Sequence, residues 1–129
     1  MAHVTVINEH QHVQQVVSGH HHLTADEPVA DGGSDAGFAA RELLLASLGA
    51  DTAVALRRHA ARQDWTLGKI TVGVRWSKDH AGREHIDRRL SFARPLSGDQ
   101  KSELLAVVSG TPVSRLLSSG IAIQSAIVD

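Results

Sequence analysis

The chain has 129 residues, with 13 basic and 14 acidic side chains and a formal net charge of -1, a length that suits one domain built on a single modest core. It contains no cysteine, which excludes disulfides, thiolate metal sites and cysteine nucleophiles, and its near-neutral balance offers no long-range attraction to nucleic acid. No stretch nears the roughly 20 apolar residues that span a bilayer, and Met1 to Ile7 lacks the basic and apolar segments of a signal peptide, so a cytoplasmic protein without membrane contact is expected.

Aromatic residues make up only 3% of the chain, so its core must come from Ala, Val, Leu and Ile. Charge is uneven: residues 1–40 hold no Lys or Arg and five acids (Glu9, Asp26, Glu27, Asp31, Asp35), while every basic residue lies from Arg41 onward. Such halves either sit on a solvated surface or face one another in the fold or across a dimer.

In chain order, Val4 and Val6, then Val13, Val16 and Val17, then His20 to Ala25 read as a strand meander, broken by the polar run Asn8 to Gln11 and by a turn at Ser18-Gly19. The segment DGGSDAG, Asp31 to Gly37, is a loop whose glycines tolerate positive φ. A helix follows from about Phe38 to Asp64, apolar on nearly every side (Leu43, Leu44, Leu45, Leu48, Val54, Leu56) and therefore expected to be buried all round, with small residues at Gly49, Ala50, Thr52 and Ala53 for close packing. Ile70, Val72, Val74 and Trp76 alternate, turn at Asp79 to Gly82, and continue as Ile86, Leu90 and Phe92, which is a β-hairpin. Ser97 with Gln100 is a capping box for a helix ended by Gly110, and Thr111-Pro112 opens a short helix as N-cap and N1. Ile121, Ile123 and Ile127 predict a final strand. The class is α+β in one domain, residues 1–129.

Particular residues then match a known family. Ala25 to Trp65 (ADEPVADGGSDAGFAARELLLASLGADTAVALRRHAARQDW), the following GKITVGVRW, and GTPVSRLL from Gly110 to Leu117 resemble the OsmC/Ohr family of organic hydroperoxide reductases, with likeness over most of the chain from Gly19 to Ile127. The resemblance implies an OsmC-like fold: an intertwined homodimer, apolar helices packed at its centre, and sites at the subunit interface. It also implies stress-related reduction of organic hydroperoxides by a peroxidatic and a resolving cysteine recharged by a dithiol. Both cysteine positions are changed here, to Asp51 and Thr111. The family's supporting Arg in the N-terminal region has no counterpart, and the position of its supporting Glu is Arg41, with Glu42 one residue later.

The candidate site is therefore read without redox chemistry or any cofactor. Asp51 lies mid-helix among small residues, where a charge needs a partner; its helical face holds Leu44, Leu48, Ala55 and Arg58, and Arg115 or a cation of a second subunit is the expected partner. Either it lines a wet remnant of the pocket, or it anchors a ligand or serves as a carboxylate base. Thr111 is read first as a helix cap. With Arg41, Glu42, Arg115 and Leu48 these residues form the candidate ligand site for a small apolar or anionic molecule at a dimer interface, the apolar lining coming from Leu44, Leu48 and Phe38. The alternatives are a hydroperoxide reductase by family, a non-redox enzyme using Asp51, or a dimer that binds only a partner. Nine histidines raise the question of metal, and His10-x-His12 and His20-x-His22 each set two rings on one strand face if they lie in strands. Exposed histidines are the simpler reading, and no metal is assigned.

Overall fold

A computed structural model describes residues 2–128. They form two compact units, one ending at Leu45 and one beginning at Ala46, with the boundary inside the first long helix.

In the first unit, β1 (Thr5–Ile7), β2 (Gln14–Ser18) and β3 (His21–Ala25) make an antiparallel sheet in that order, with Val6 opposite Val16 and Val16 opposite Leu23. The predicted meander is thus present. The turn between β1 and β2 is closed by the Asn8 side-chain amide, which donates to the carbonyls of Gln11 and Val13 at 3.0 Å, while Gln11 takes a left-handed φ of 55°. His10 and His12 lie in this turn and His20 in the next, so neither His-x-His pair shares a strand face; a short polar run bends back before it can extend.

After β3 the chain passes through a short 3-10 turn (Val29–Asp31) and returns, with Phe38 bridging Ala25. Phe38 thus belongs to an extended segment rather than to the helix, because its backbone is already paired before helical bonding begins. Asp26 organises this loop. Its buried carboxylate accepts from the N–H groups of Glu27 (2.7 Å), Ser34 (3.1 Å) and Ala36 (3.0 Å). Of the loop's three glycines only Gly32 uses a positive φ (91°), and Asp35 adopts one as well (54°). Gly33 and Gly37 serve a different purpose, since a Cβ on either would lie 2.0 Å from the carbonyl oxygen of Glu27 or Thr24. The backbone passes too close for any side chain.

Helix α1 (Ala40–Gln63) opens on Ala39, which lacks a capping hydroxyl; Glu42 supplies half a capping box by accepting from the Ala39 N–H at 2.8 Å. The helix is not buried all round. Leu48, Thr52, Leu56 and Ala60, four apart, are the buried stripe, whereas Leu44 and Val54 are exposed. The buried positions recur every fourth residue and so form one stripe, which is how a helix covered on one side is patterned.

In the second unit, β4 (Ile70–Lys78) and β5 (Glu84–Phe92) form the predicted hairpin, with Ile70 opposite Phe92 and Trp76 opposite Ile86. Asp79 ties its turn by accepting from Ala81 and Arg83 N–H at 2.9 Å. Helix α2 (Gly98–Ser109) carries the full Ser97/Gln100 capping box, and α3 (Pro112–Ser119) starts at Thr111 with Pro112 in its first turn. The core joins Leu56 and Ala60 of α1 to Leu67, Leu104 and Val108, with Trp65, Leu90 and Phe92 packed against them. Each fully buried Leu contributes about 2 kcal/mol by removal from water. At the same helix pair His59 bonds Glu103 at 2.5 Å and meets the Trp65 ring edge-on.

The final strand is not formed. Residues 120–128 have no regular structure, and Ile121, Ile123 and Ile127 are 70, 86 and 98% exposed. Alternation assigns sides, but a strand needs a neighbouring backbone to take its N–H and C=O groups, and among the described residues none pairs with this segment. No helix among them is long and apolar enough to cross a membrane.

One prediction concerns Asp26. The N–H of Ala36 foremost, then those of Glu27 and Ser34 and the charge of His12, hold its carboxyl below the ordinary value of 3.8, against the opposing push of burial. A depressed folded-state value means that its contribution is fully present above about pH 4 and fades as pH falls through the lower folded value. Asp26→Asn, which turns an amide toward three N–H donors, is expected to melt below the wild type at pH 7, with the gap closing in acid. Parallel melting curves at pH 7 and pH 2.5 check this, and a gap that widens in acid refutes it.

Candidate functional site

Asp51 and Thr111, 60 residues apart in sequence by their numbers, meet at the start of α3. The Asp51 Oδ2 accepts from the backbone N–H of Val113 at 3.1 Å. Thr111, buried as N-cap, accepts from the N–H of Ser114 at 3.4 Å and donates to the Ser114 hydroxyl at 2.7 Å. The first turn of α3 thus has two of its free N–H groups taken by an acidic and a hydroxyl oxygen, the arrangement that helix N-termini favour.

Arg115, one of the cations considered for Asp51, is exposed on α3, and Arg58 is exposed on α1. Within the chain, the charge that acts with Asp51 is that of Arg88, which reaches in from β5: Nη1 donates to Thr52 Oγ1 and to Ser114 Oγ, both at 2.9 Å, and Nη2 donates to the carbonyl of Val108 at 3.1 Å. That carbonyl also accepts from the hydroxyl of Ser114 at 2.8 Å. Thr52, fully buried, passes its own proton back to the carbonyl of Leu48 at 2.7 Å. Burial pushes the Arg88 pKa down and the Asp51 carboxylate pushes it back up, which leaves a cation at any ordinary pH. The result is a hydrogen-bonded network of Thr52, Arg88, Thr111 and Ser114 around the Val108 carbonyl, with Asp51 tied to the same helix start through the Val113 N–H and near enough to Arg88 for its charge to act on it.

Arg88, Thr52 and Ser114 were not singled out by sequence. The usable signal was Arg88: strand parity puts it between Ile86 and Leu90 on the inward face of β5, a charge inside the apolar run that follows the exposed Glu84 at the strand's start. A lone charge in an apolar row is a group that must find partners. Thr52 and Ser114 gave no such signal, since small hydroxyls are common in helices for many reasons.

Of the remaining candidates, Leu48 is buried in the stripe of α1. Glu42 is engaged in capping α1, and Arg41 stands in the same first turn. Phe38, 54% exposed, lines an open basin of about 520 Å³ in the first unit with Leu23, Thr24, Asp35, Ala36, Gly37 and Glu42. Among the described residues no three His, Asp or Glu side chains converge as metal ligands do. His22 is bonded to Gln15 at 3.0 Å, and the His20 and His21 rings lie 4.0 Å apart.

No family model matches the sequence, and no curated protein matches it. Solved structures do match the fold. An OsmC-like protein from Mycoplasma pneumoniae superposes with a TM-score of 0.76 at 20% identity, over 91% of this chain and 86% of that one. An OsmC-like protein of unknown function from Vibrio cholerae gives 0.67 at 11% identity, over 93% and 96%. The organic hydroperoxide resistance protein OhrB of Bacillus subtilis gives 0.61 at 22% identity, over 92% and 91%. At such identities the likeness carries the architecture alone: the chain has the fold of the OsmC-like and Ohr proteins, built without a cysteine.

Proposed function

We propose that the protein is a homodimeric, non-redox binding protein of the OsmC/Ohr fold, which takes a small apolar or anionic ligand beside Asp51 and Thr111 where two subunits meet. The observation that carries this reading is the hydrogen-bonded network at those two positions. A carboxylate, two threonine hydroxyls, a serine hydroxyl and a guanidinium stand together there and contain no group able to attack a peroxide and pass through a disulfide. Leu116 and Val54, both exposed in the single chain, supply apolar surface on α3 and α1, and Arg115 supplies an exposed cation on α3. Arg41 and Glu42 enter the reading only through the family resemblance. Use of Asp51 as a general base draws no support, because its carboxylate is engaged by α3.

Dimerisation is supported by the apolar surface one subunit leaves open: Leu44, Val54, Leu105 and Leu116 on the helices and the isoleucines of the C-terminal segment. Light scattering is expected to report twice the 13.8 kDa chain mass at micromolar concentration, and a folded monomer refutes the dimer. With a dithiol present, tert-butyl or cumene hydroperoxide is expected to disappear no faster than in buffer, and protein-dependent turnover by metal-free protein overturns the non-redox reading. For ligand binding, a thermal-shift panel of small carboxylates and fatty acids is expected to raise the melting temperature of the wild type and less so that of Asp51→Asn; no shift in either rejects the binding site.

A further inference from the structure

The solvent face of the β4–β5 hairpin, the side away from Arg88, carries an arrangement that the site above does not use. Strand pairing sets Gly73 opposite Arg89 and Arg75 opposite Asp87 on that face. Gly73 has no reason internal to the fold. Its φ is not in the left-handed region, and a Cβ built there would meet nothing nearer than the Arg89 carbonyl oxygen at 3.9 Å. A glycine in mid-strand weakens the strand, and it commonly marks a place where a ligand or another backbone comes close. Here it leaves a gap between two arginines, within a basin of about 310 Å³ lined by Gly73, Val74, Arg75, Asp87 and Arg89.

The charge arrangement fits the gap. Among the described residues neither the Arg75 nor the Arg89 side chain makes a hydrogen bond or ion pair, so both guanidinium forks remain open to a ligand. Asp87 sits in the same basin, its Oδ1 3.3 Å from His85 Nε2. We propose that this basin binds a small phosphate-bearing molecule. Two forks offer more N–H donors than one planar carboxylate accepts, and they suit a tetrahedral dianion. Asp87 is placed to accept from a hydroxyl next to the phosphate and to repel a ligand with a second anionic group on that side.

The probe is inorganic phosphate, titrated into the ¹⁵N-labelled full chain at constant ionic strength against chloride. Saturable shifts are expected at Gly73, Arg75, Asp87 and Arg89. Arg89→Gln and Gly73→Val, the latter filling the gap, are each expected to weaken binding by roughly tenfold or more. Both should melt in chloride no lower than the wild type, since neither removes a contact of the fold. Glycerol 3-phosphate is expected to bind more tightly than inorganic phosphate, and less so in Asp87→Asn. Linear, non-saturating shifts spread over all surface arginines and lysines, or full phosphate binding by both Gly73→Val and Arg89→Gln, overturn the proposal. Because these residues are separate from Asp51 and Thr111, the outcome is independent of the ligand panel above.

Discussion

Arg88→Ala is expected to lower the unfolding free energy by about 3 kcal/mol, because it removes three hydrogen bonds from a charged donor and strands their acceptors inside the second unit. Thr52 Oγ1, Ser114 Oγ and the Val108 carbonyl lose that donor together, and the Asp51 carboxylate loses the cation that acts on it. Arg88→Lys should recover only part of the loss, since one ammonium cannot place donors where a planar fork places them. Arg88→Met tests the charge with most of the stem retained. In that background Asp51→Asn should cost less than in the wild type, with a coupling of about 1 kcal/mol in the cycle, because carboxylate and guanidinium then no longer depend on each other. Chemical denaturation of the wild type, the three Arg88 variants, Asp51→Asn and the Arg88→Met/Asp51→Asn double variant gives the numbers. Coincident curves for wild type and Arg88→Ala would show that the network contributes nothing to stability, and an Asp51→Asn protein more stable than wild type would mean that Asp51 is a desolvated charge kept for a ligand.

Leu56→Ala is expected to cost about 3 kcal/mol and on the order of 10 °C in melting temperature, through a cavity between α1 and α2 where Leu56, Leu67 and Leu104 are all essentially inaccessible to water. Val54→Ala, two residues away on an exposed side of the same helix, provides the contrast. In a monomer it changes stability by no more than about 0.5 kcal/mol. In the proposed dimer its cost grows with burial against the second subunit, and its melting temperature depends on protein concentration. A Leu56→Ala loss below 1 kcal/mol would mean that the α1–α2 contact is not the core of this unit.

Much of the local structure is legible in the residues. The capping box at Ser97, the Thr111-Pro112 helix start and the hairpin from Ile70 to Phe92 all depend on groups within a few positions of one another, so short-range chemistry is enough to place them. The long helix is legible for the same reason, apart from Phe38, whose pairing with Ala25 removes it from the helix before the first helical bond. Position 51 also stands out in sequence as a charge in an apolar run. Its partners do not, because Val113 and Arg88 reach it only after α3 and the inward face of β5 have packed on α1.

The sequence by itself determined that no thiol chemistry is available and that the fold is α+β, since composition and local pattern need no knowledge of packing. Tertiary structure alone decided three other things. It brought the charge of Arg88 within reach of Asp51, because strand parity and helix packing bring together groups 37 positions apart by their numbers. It made Gly33 and Gly37 necessary for close backbone approach rather than for left-handed turns. And it left Ile121 to Ile127 without a strand, because alternation marks which side a residue faces, while a strand exists only where a second backbone is present to complete its hydrogen bonds.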